Sequence, residues 1–244
     1  MNGSRQDVAR LVADIAAGMP GGACVVGVCP PFPLLEWCKL WLEGSAVALG
    51  AQDVSEHAGG AFTGEVSAAM LKDVGCRFVL VGHSERRSYH RECDDTVARK
   101  TKRALQAGLT PVVCVGETME ERQGGQTNDV LVRQLRAAVD GLGEAELKQI
   151  VIAYEPVWAI GSGAAATPAM AQEAHAALRR SLAERSPGCA ASVKILYGGS
   201  MKPDSAAGLL AMPDIDGGLV GGASLNARDF LAIVAAATPA ECVA

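Results

Sequence analysis

Aromatic residues are scarce in this chain of 244: three Trp, three Tyr and four Phe, or 4%, in a sequence that is 49% hydrophobic. A core made from it is aliphatic and alanine-rich, the composition of a parallel sheet covered by helices. No apolar run reaches the ~18 residues of a membrane span, and the polar opening MNGSRQD bears no resemblance to a signal peptide. Positive charge is not in excess. A net charge of −5 and a pI near 5.4 exclude a global attraction for nucleic acid or acidic membranes. An anionic small substrate would have to be met by local fields, from helix N-termini or a few Lys and Arg. Of the eight cysteines, none is spaced as CxxC and none lies in a Cys–His cluster with zinc spacing, so no metal site is expected. Cys29, Cys76 and Cys114 lie in or beside apolar runs, where Cys serves as a small hydrophobe. The set reads as reduced thiols of a cytoplasmic protein.

What is present is alternation. Short apolar runs at Ala23–Val28, Ala46–Gly50, Phe78–Val81, Pro111–Val115, Ile150–Ala153, Val193–Tyr197 and Gly218–Val220 read as strands. Between them lie helical patterns at Leu34–Leu42, Gly64–Asp73, Asp94–Ala107, Asp129–Val139, Pro168–Glu184, Pro203–Leu210 and Ala227–Ala236. Thr167 before Pro168 marks a helix start, and Gly108 after Ala107 a stop. Strict strand–helix alternation implies a parallel sheet with right-handed crossovers. No linker interrupts it, so residues 1–244 are expected to form one domain. The chain opens on a helix, with Ser4 as N-cap, Asp7 three residues on, and Val8, Leu11, Val12 and Ile15 on one face. Eight helices against seven strands point to a (β/α)8 barrel whose first strand would lie upstream of Met1.

Two strand ends carry the chemistry. The run from Ile150 delivers Glu155 and stops at Pro156; the Gly-bounded loop 156–167 that follows is long enough to close over it. The run from Phe78 ends in Gly82-His83-Ser84-Glu85-Arg86. A carboxylate taking a proton from carbon and an imidazole hydrogen-bonding the developing enediolate suit proton transfer next to a carbonyl. A helical turn begun at Ser84–Arg87 would keep that imidazole neutral. Glycine clusters follow the last two strands, at Tyr197-Gly198-Gly199-Ser200 and Val220-Gly221-Gly222-Ala223-Ser224, where backbone N–H groups can approach a phosphate.

Taken in order, GAFTGE at 60–65, VGHSERR at 81–87, VCVGET at 113–118, AYEPVWAIGSG at 153–163, YGGS at 197–200 and DIDGGLVGGASL at 214–225 resemble the triosephosphate isomerase family across the whole chain. The resemblance implies a TIM barrel that interconverts dihydroxyacetone phosphate and D-glyceraldehyde 3-phosphate, in glycolysis and gluconeogenesis, with no cofactor. It makes Glu155 the base and His83 the electrophile, an account that is also a worked example of pKa tuning. It places Gly161 in the closing loop, Ser200, Gly221 and Gly222 at the phosphate, and Tyr197 as the latch of the closed loop. Glu85 and Cys114 become neighbours of the catalytic pair. Thr63, at the tip of the 51–63 loop, implies a homodimer. Two departures stand out. The family's opening Asn-x-Lys strand does not occur in the sequence, and its Lys offsets substrate charge, so residues 1–244 alone are expected to be inactive. Ala164-Ala165-Ala166 replace a Lys-Thr-Ala-like hinge, with closure expected to survive. Another phosphate-binding barrel isomerase and a catalytically dead relative are the competing readings.

Elsewhere the plainer reading is preferred. His57, His90 and His175 are expected in loops or on helix surfaces. Trp37, Leu40 and Trp41 are expected to pack helix against barrel, and Arg99, Lys100, Lys102 and Arg103 to form a solvated helix face.

Overall fold

The computed structural model describes residues 1–21, 24–160 and 165–237. Helix α1 (Arg5–Gly18) begins in a capping box: the Ser4 hydroxyl accepts from the Asp7 N–H while the Asp7 carboxylate accepts from the Ser4 N–H. Seven strands follow: β1 (Gly27–Val28), β2 (Ala48–Ala51), β3 (Phe78–Val81), β4 (Thr110–Val115), β5 (Val151–Tyr154), β6 (Lys194–Tyr197) and β7 (Gly217–Gly218). All neighbours pair in parallel, in sequence order from β1 to β7. The remaining helices are α2 (Leu35–Trp41), α3 (Ala68–Val74), α4 (Ser84–His90), α5 (Asp94–Gln106), α6 (Met119–Gln123), α7 (Thr127–Val139), α8 (Glu144–Leu147), α9 (Pro168–Arg185), α10 (Pro187–Ala190), α11 (Pro203–Leu210) and α12 (Ala227–Ala237).

Strand period two sorts the core. Val79, Val81, Val113, Val115, Ile152, Tyr154, Ile195 and Tyr197 pack outward beneath the helices. Leu80, Val112, Cys114 and Ala153 face the other way and form a second cluster with Phe78, Val151 and Leu196. Both faces are covered, which explains the near-continuous apolar runs. The helical layer joins its own ends: α1 packs against α2 on one side and α12 on the other, so closely that a Cβ on Gly18 would lie 2.4 Å from Leu231.

Several boundaries differ from the sequence reading. β1 is confined to Gly27–Val28; before it Val26 is still buried, its carbonyl accepting the Ala48 N–H at 2.8 Å, while Val25 is 86% exposed. β7 pairs at Gly217–Gly218 rather than from Gly218 onward. α3 starts at Ala68 instead of Gly64, because Gly64 sits at φ +91° and Ser67 caps the helix through the Met70 N–H. The short helices α6, α8 and α10 escape a periodicity search, having four or five residues each.

Two expectations about helix faces are overturned in part. Lys100 is not solvated: it is 4% exposed, and its Nζ lies 2.6 Å from both Asp53 Oδ1 and Glu92 Oε1. Arg86 reaches the same two carboxylates, so two cations and two anions balance in one partly buried cluster. Its neighbour Arg99 pairs with Glu56. On α2 Leu35 and Cys38 turn inward and Trp41, half-buried, packs against the core as expected; Trp37 and Leu40 remain exposed, Trp37 stacking on Trp41 under the guanidinium of Arg5.

Candidate active site

Glu155 follows β5 in phase with inward-facing Val151 and Ala153, so its carboxylate turns to the inner side of the sheet. The same alternation on β3 would turn His83 outward. Gly82, at φ +69°, breaks the phase and swings His83 over the strand end, where it becomes the N-cap of α4. His83 Nε2 then lies 2.9 Å from Glu155 Oε1. The other carboxylate oxygen accepts the Ser84 N–H at 2.8 Å. His83 Nδ1 accepts the Glu85 N–H at 3.3 Å, which leaves the neutral ring's proton on Nε2, the atom nearest the carboxylate though not lined up in a hydrogen bond to it.

Burial, the largest single influence on His83, works against its charged form. The adjacent Glu155 carboxylate, with the charge of Glu85, outweighs it and moves the imidazole above its ordinary value. The α4 terminus therefore does not by itself keep the ring neutral here. Glu85 is exposed and stands 3.9 Å from His83 Nδ1, so it reaches the site as a charge and not as a lining group.

Cys114 sits fully buried in the inner cluster, its thiol pushed well up by burial and by the Glu155 charge. Ser200 lies half-buried after β6, while Gly221 and Gly222 are exposed after β7. A Cβ added at either glycine would meet nothing within 4 Å, so the protein itself leaves that space open. Tyr197 is fully buried; burial pushes its phenol up, and the backbone of Ala166, at the end of the 156–167 loop, pulls it slightly down. Gly161 lies outside the described residues. Thr63 stands exposed, far along the chain from the pair, in a loop closed by the Ser55 N–H on the Val66 carbonyl and steadied by the stacked rings of His57 and Phe62.

Three residues not singled out in the sequence hold the site together. Glu117, fully buried, accepts from Tyr154 Oη at 3.1 Å and from Trp158 Nε1 at 2.8 Å, and Arg122 reaches it while its guanidinium lies over the Trp158 ring. Arg87 spans the ends of β3 and β4, donating to the Gly82 and Cys114 carbonyls. Gln134 grips Gly116. Glu117 and Arg87 lie inside the VCVGET and VGHSERR runs; nothing in the sequence marks Gln134.

His175 corrects the expectation of a helix-surface residue. It is completely buried on α9, edge-on to Tyr154 and tilted against Tyr197, with Nδ1 3.1 Å from the Asp214 carbonyl. Burial drives its pKa down to about 4 from 6.5. Between those values the unfolded chain binds a proton that the folded one refuses. The stability His175 confers is thus fully present above about pH 6.5 and lost as pH falls towards 4, by about 3 kcal/mol. Urea melts of unmodified chain and His175→Phe across this window are expected to show a shallower pH slope in the variant; parallel slopes would refute the assignment.

An imidazole donor and a carboxylate sharing one edge of a parallel β/α sheet, at the C-terminal ends of its strands, define a barrel-type enzyme for proton transfer beside a carbonyl. The chain belongs to the triosephosphate isomerase family: the family model described as triosephosphate isomerase matches residues 1–237. It is 59% identical over 237 residues to the triosephosphate isomerase of Herminiimonas arsenicoxydans, covering 97% of this chain and 96% of that one. It is 56% identical to that of Cupriavidus necator over 233 residues, covering 96% and 94%. The Bordetella pertussis enzyme is likewise 56% identical, over 237 residues, covering 97% and 94%.

Proposed function

We propose that the chain forms one domain whose site interconverts dihydroxyacetone phosphate and D-glyceraldehyde 3-phosphate, unaided by metal or cofactor, as a cytoplasmic enzyme of glycolysis and gluconeogenesis. The observation that carries this reading is the 2.9 Å approach of His83 Nε2 to Glu155 Oε1. A three-carbon ligand that parts this contact meets a base on one side and a hydrogen-bond donor on the other. Glu155 takes the proton from C1 of the ketone; His83 Nε2–H stabilises the oxygen that gains charge and relays the hydroxyl proton from O1 to O2; Glu155 returns the carbon proton at C2 to give the aldehyde. Ser200, Gly221 and Gly222 receive the phosphate. Gly161 belongs to the loop that closes over it, with Tyr197 beside Ala166 as the latch. Cys114 and Glu85 shape the surroundings of the pair. Among the described residues no helix is long and apolar enough to cross a membrane. The exposed loop tip at Thr63 favours a homodimer in which 51–63 reaches the neighbouring subunit.

A coupled assay on glyceraldehyde 3-phosphate tests the reading, on residues 1–244 and on a form extended upstream by an Asn-x-Lys strand of the family pattern. Strong turnover is expected of the extended form, sedimenting at roughly twice the mass expected for one chain. Absence of turnover in both forms would sink the isomerase reading, and equal turnover would show the lysine to be dispensable.

A further inference from the structure

The base stands in a slot between two glycines. On the β6 side, a Cβ at Gly198 would lie 2.9 Å from Glu155 Cγ, and the Gly198 N–H is held by the Tyr154 carbonyl at 2.7 Å. On the β4 side, a Cβ at Gly116 would lie 1.7 Å from the Glu155 carbonyl oxygen. The Glu155 backbone therefore rests directly on Gly116, and wherever Gly116 moves the base must follow. Strand pairing does not reach this point. The ladder between β4 and β5 ends at Val115 with Tyr154, where the Glu155 N–H donates to the Val115 carbonyl at 2.8 Å; the next backbone bond between the two segments, from the Val157 N–H to the Glu117 carbonyl at 3.2 Å, steps over Gly116.

A side chain takes over where the ladder stops. Gln134 Oε1 accepts the Gly116 N–H at 2.8 Å, and Gln134 Nε2 donates to the Gly116 carbonyl at 3.2 Å. One carboxamide thus satisfies both backbone groups of one residue, as a neighbouring strand would. Gln134 lies on the buried face of α7 among Val130, Leu131, Leu135 and Ala138, and is itself 7% exposed. An amide in such a place is costly unless paired, and here both its ends are.

We propose that Gln134 is a positioning residue for the base: by fixing Gly116 it fixes the Glu155 backbone, and so the distance between carboxylate and substrate carbon. The inference rests on the isomerase reading above. It predicts a defect in the chemical step, since a base displaced by about 1 Å can lose on the order of 10²-fold in rate. A residue serving only to tie α7 to the sheet would lower stability and leave kcat of the folded protein intact.

The test uses Gln134→Met, which keeps length and removes both bonds, and Gln134→Glu, which keeps an acceptor for the Gly116 N–H and loses the donor. In the extended form, Gln134→Met is expected to lower kcat at least tenfold with KM within about twofold, and Gln134→Glu to fall between it and the unmodified protein. Amide exchange at Gly116 and Glu155 should quicken in the same order. Unchanged kcat in folded Gln134→Met, or unchanged exchange at Gly116, overturns the proposal. If Gln134→Met does not fold, Gln134→Glu decides by the same two measurements. Failure of the unmodified protein to turn over counts against the isomerase reading instead, and the exchange measurement still reports whether Gln134 holds Gly116.

Discussion

Glu155→Gln is expected to lower kcat roughly 10³-fold with the fold intact, the range that a positioned general base supplies. The amide occupies the carboxylate's volume and can still accept from the Ser84 N–H, which holds the present side chain at 2.8 Å, so packing changes little. What vanishes is the proton acceptor. The same substitution tests the electrostatics of the pair. His83 is held above its ordinary pKa by the adjacent Glu155 carboxylate, against a burial that pulls it down. With the charge removed, burial prevails, and the imidazole should titrate at lower pH than in the unmodified chain. Nuclear magnetic resonance of the His83 ring reads this directly. A titration left where it was would mean that the 2.9 Å contact does not carry the coupling. A kcat within tenfold of the unmodified value would remove Glu155 from the role of base.

The parts of this architecture legible in the sequence are those fixed by local pattern. β3, β4 and β5 are apolar on both faces and lie within a residue or two of the runs read from the sequence. Capping at Ser4 and Thr167 and the left-handed stop at Gly108 follow from side-chain and backbone chemistry within a few residues. β1 and β7 are less legible, having only two residues each at the two ends of the sheet, with Gly at three of the four positions. His83 and Glu155 stand out in the sequence because each ends a strand inside a distinctive run. Lys100 and His175 were misplaced for the opposite reason: their burial is decided by partners 47 and 39 residues away, Asp53 and the Asp214 carbonyl. No helical periodicity can announce a carboxylate arriving from another loop. Gln134 is of the same kind, its partner Gly116 coming from the end of a strand.

Gly116→Ala is the substitution expected to damage the fold most for its size. One added methyl carbon would coincide with the Glu155 carbonyl, 1.7 Å from its oxygen and 2.7 Å from its carbon. The obstacle is backbone in the middle of the sheet, so no rotamer change relieves it; β4 and β5 must separate at their ends. Separation breaks the Glu155 N–H bond to Val115 and draws Gly116 from Gln134, stranding a buried amide. Overpacking and the lost hydrogen bonds together should cost more than about 3 kcal/mol, read as a fall in the urea midpoint at unchanged slope. Gly221→Ala and Gly222→Ala carry the contrasting expectation. Their Cβ atoms would enter open space, so stability should stay within about 0.5 kcal/mol, while the proposed phosphate site at these glycines predicts a higher KM for the triose phosphate. A Gly116→Ala protein as stable as the unmodified chain would mean that the two strand ends are free to part, and a slot that loose could not hold the base in place.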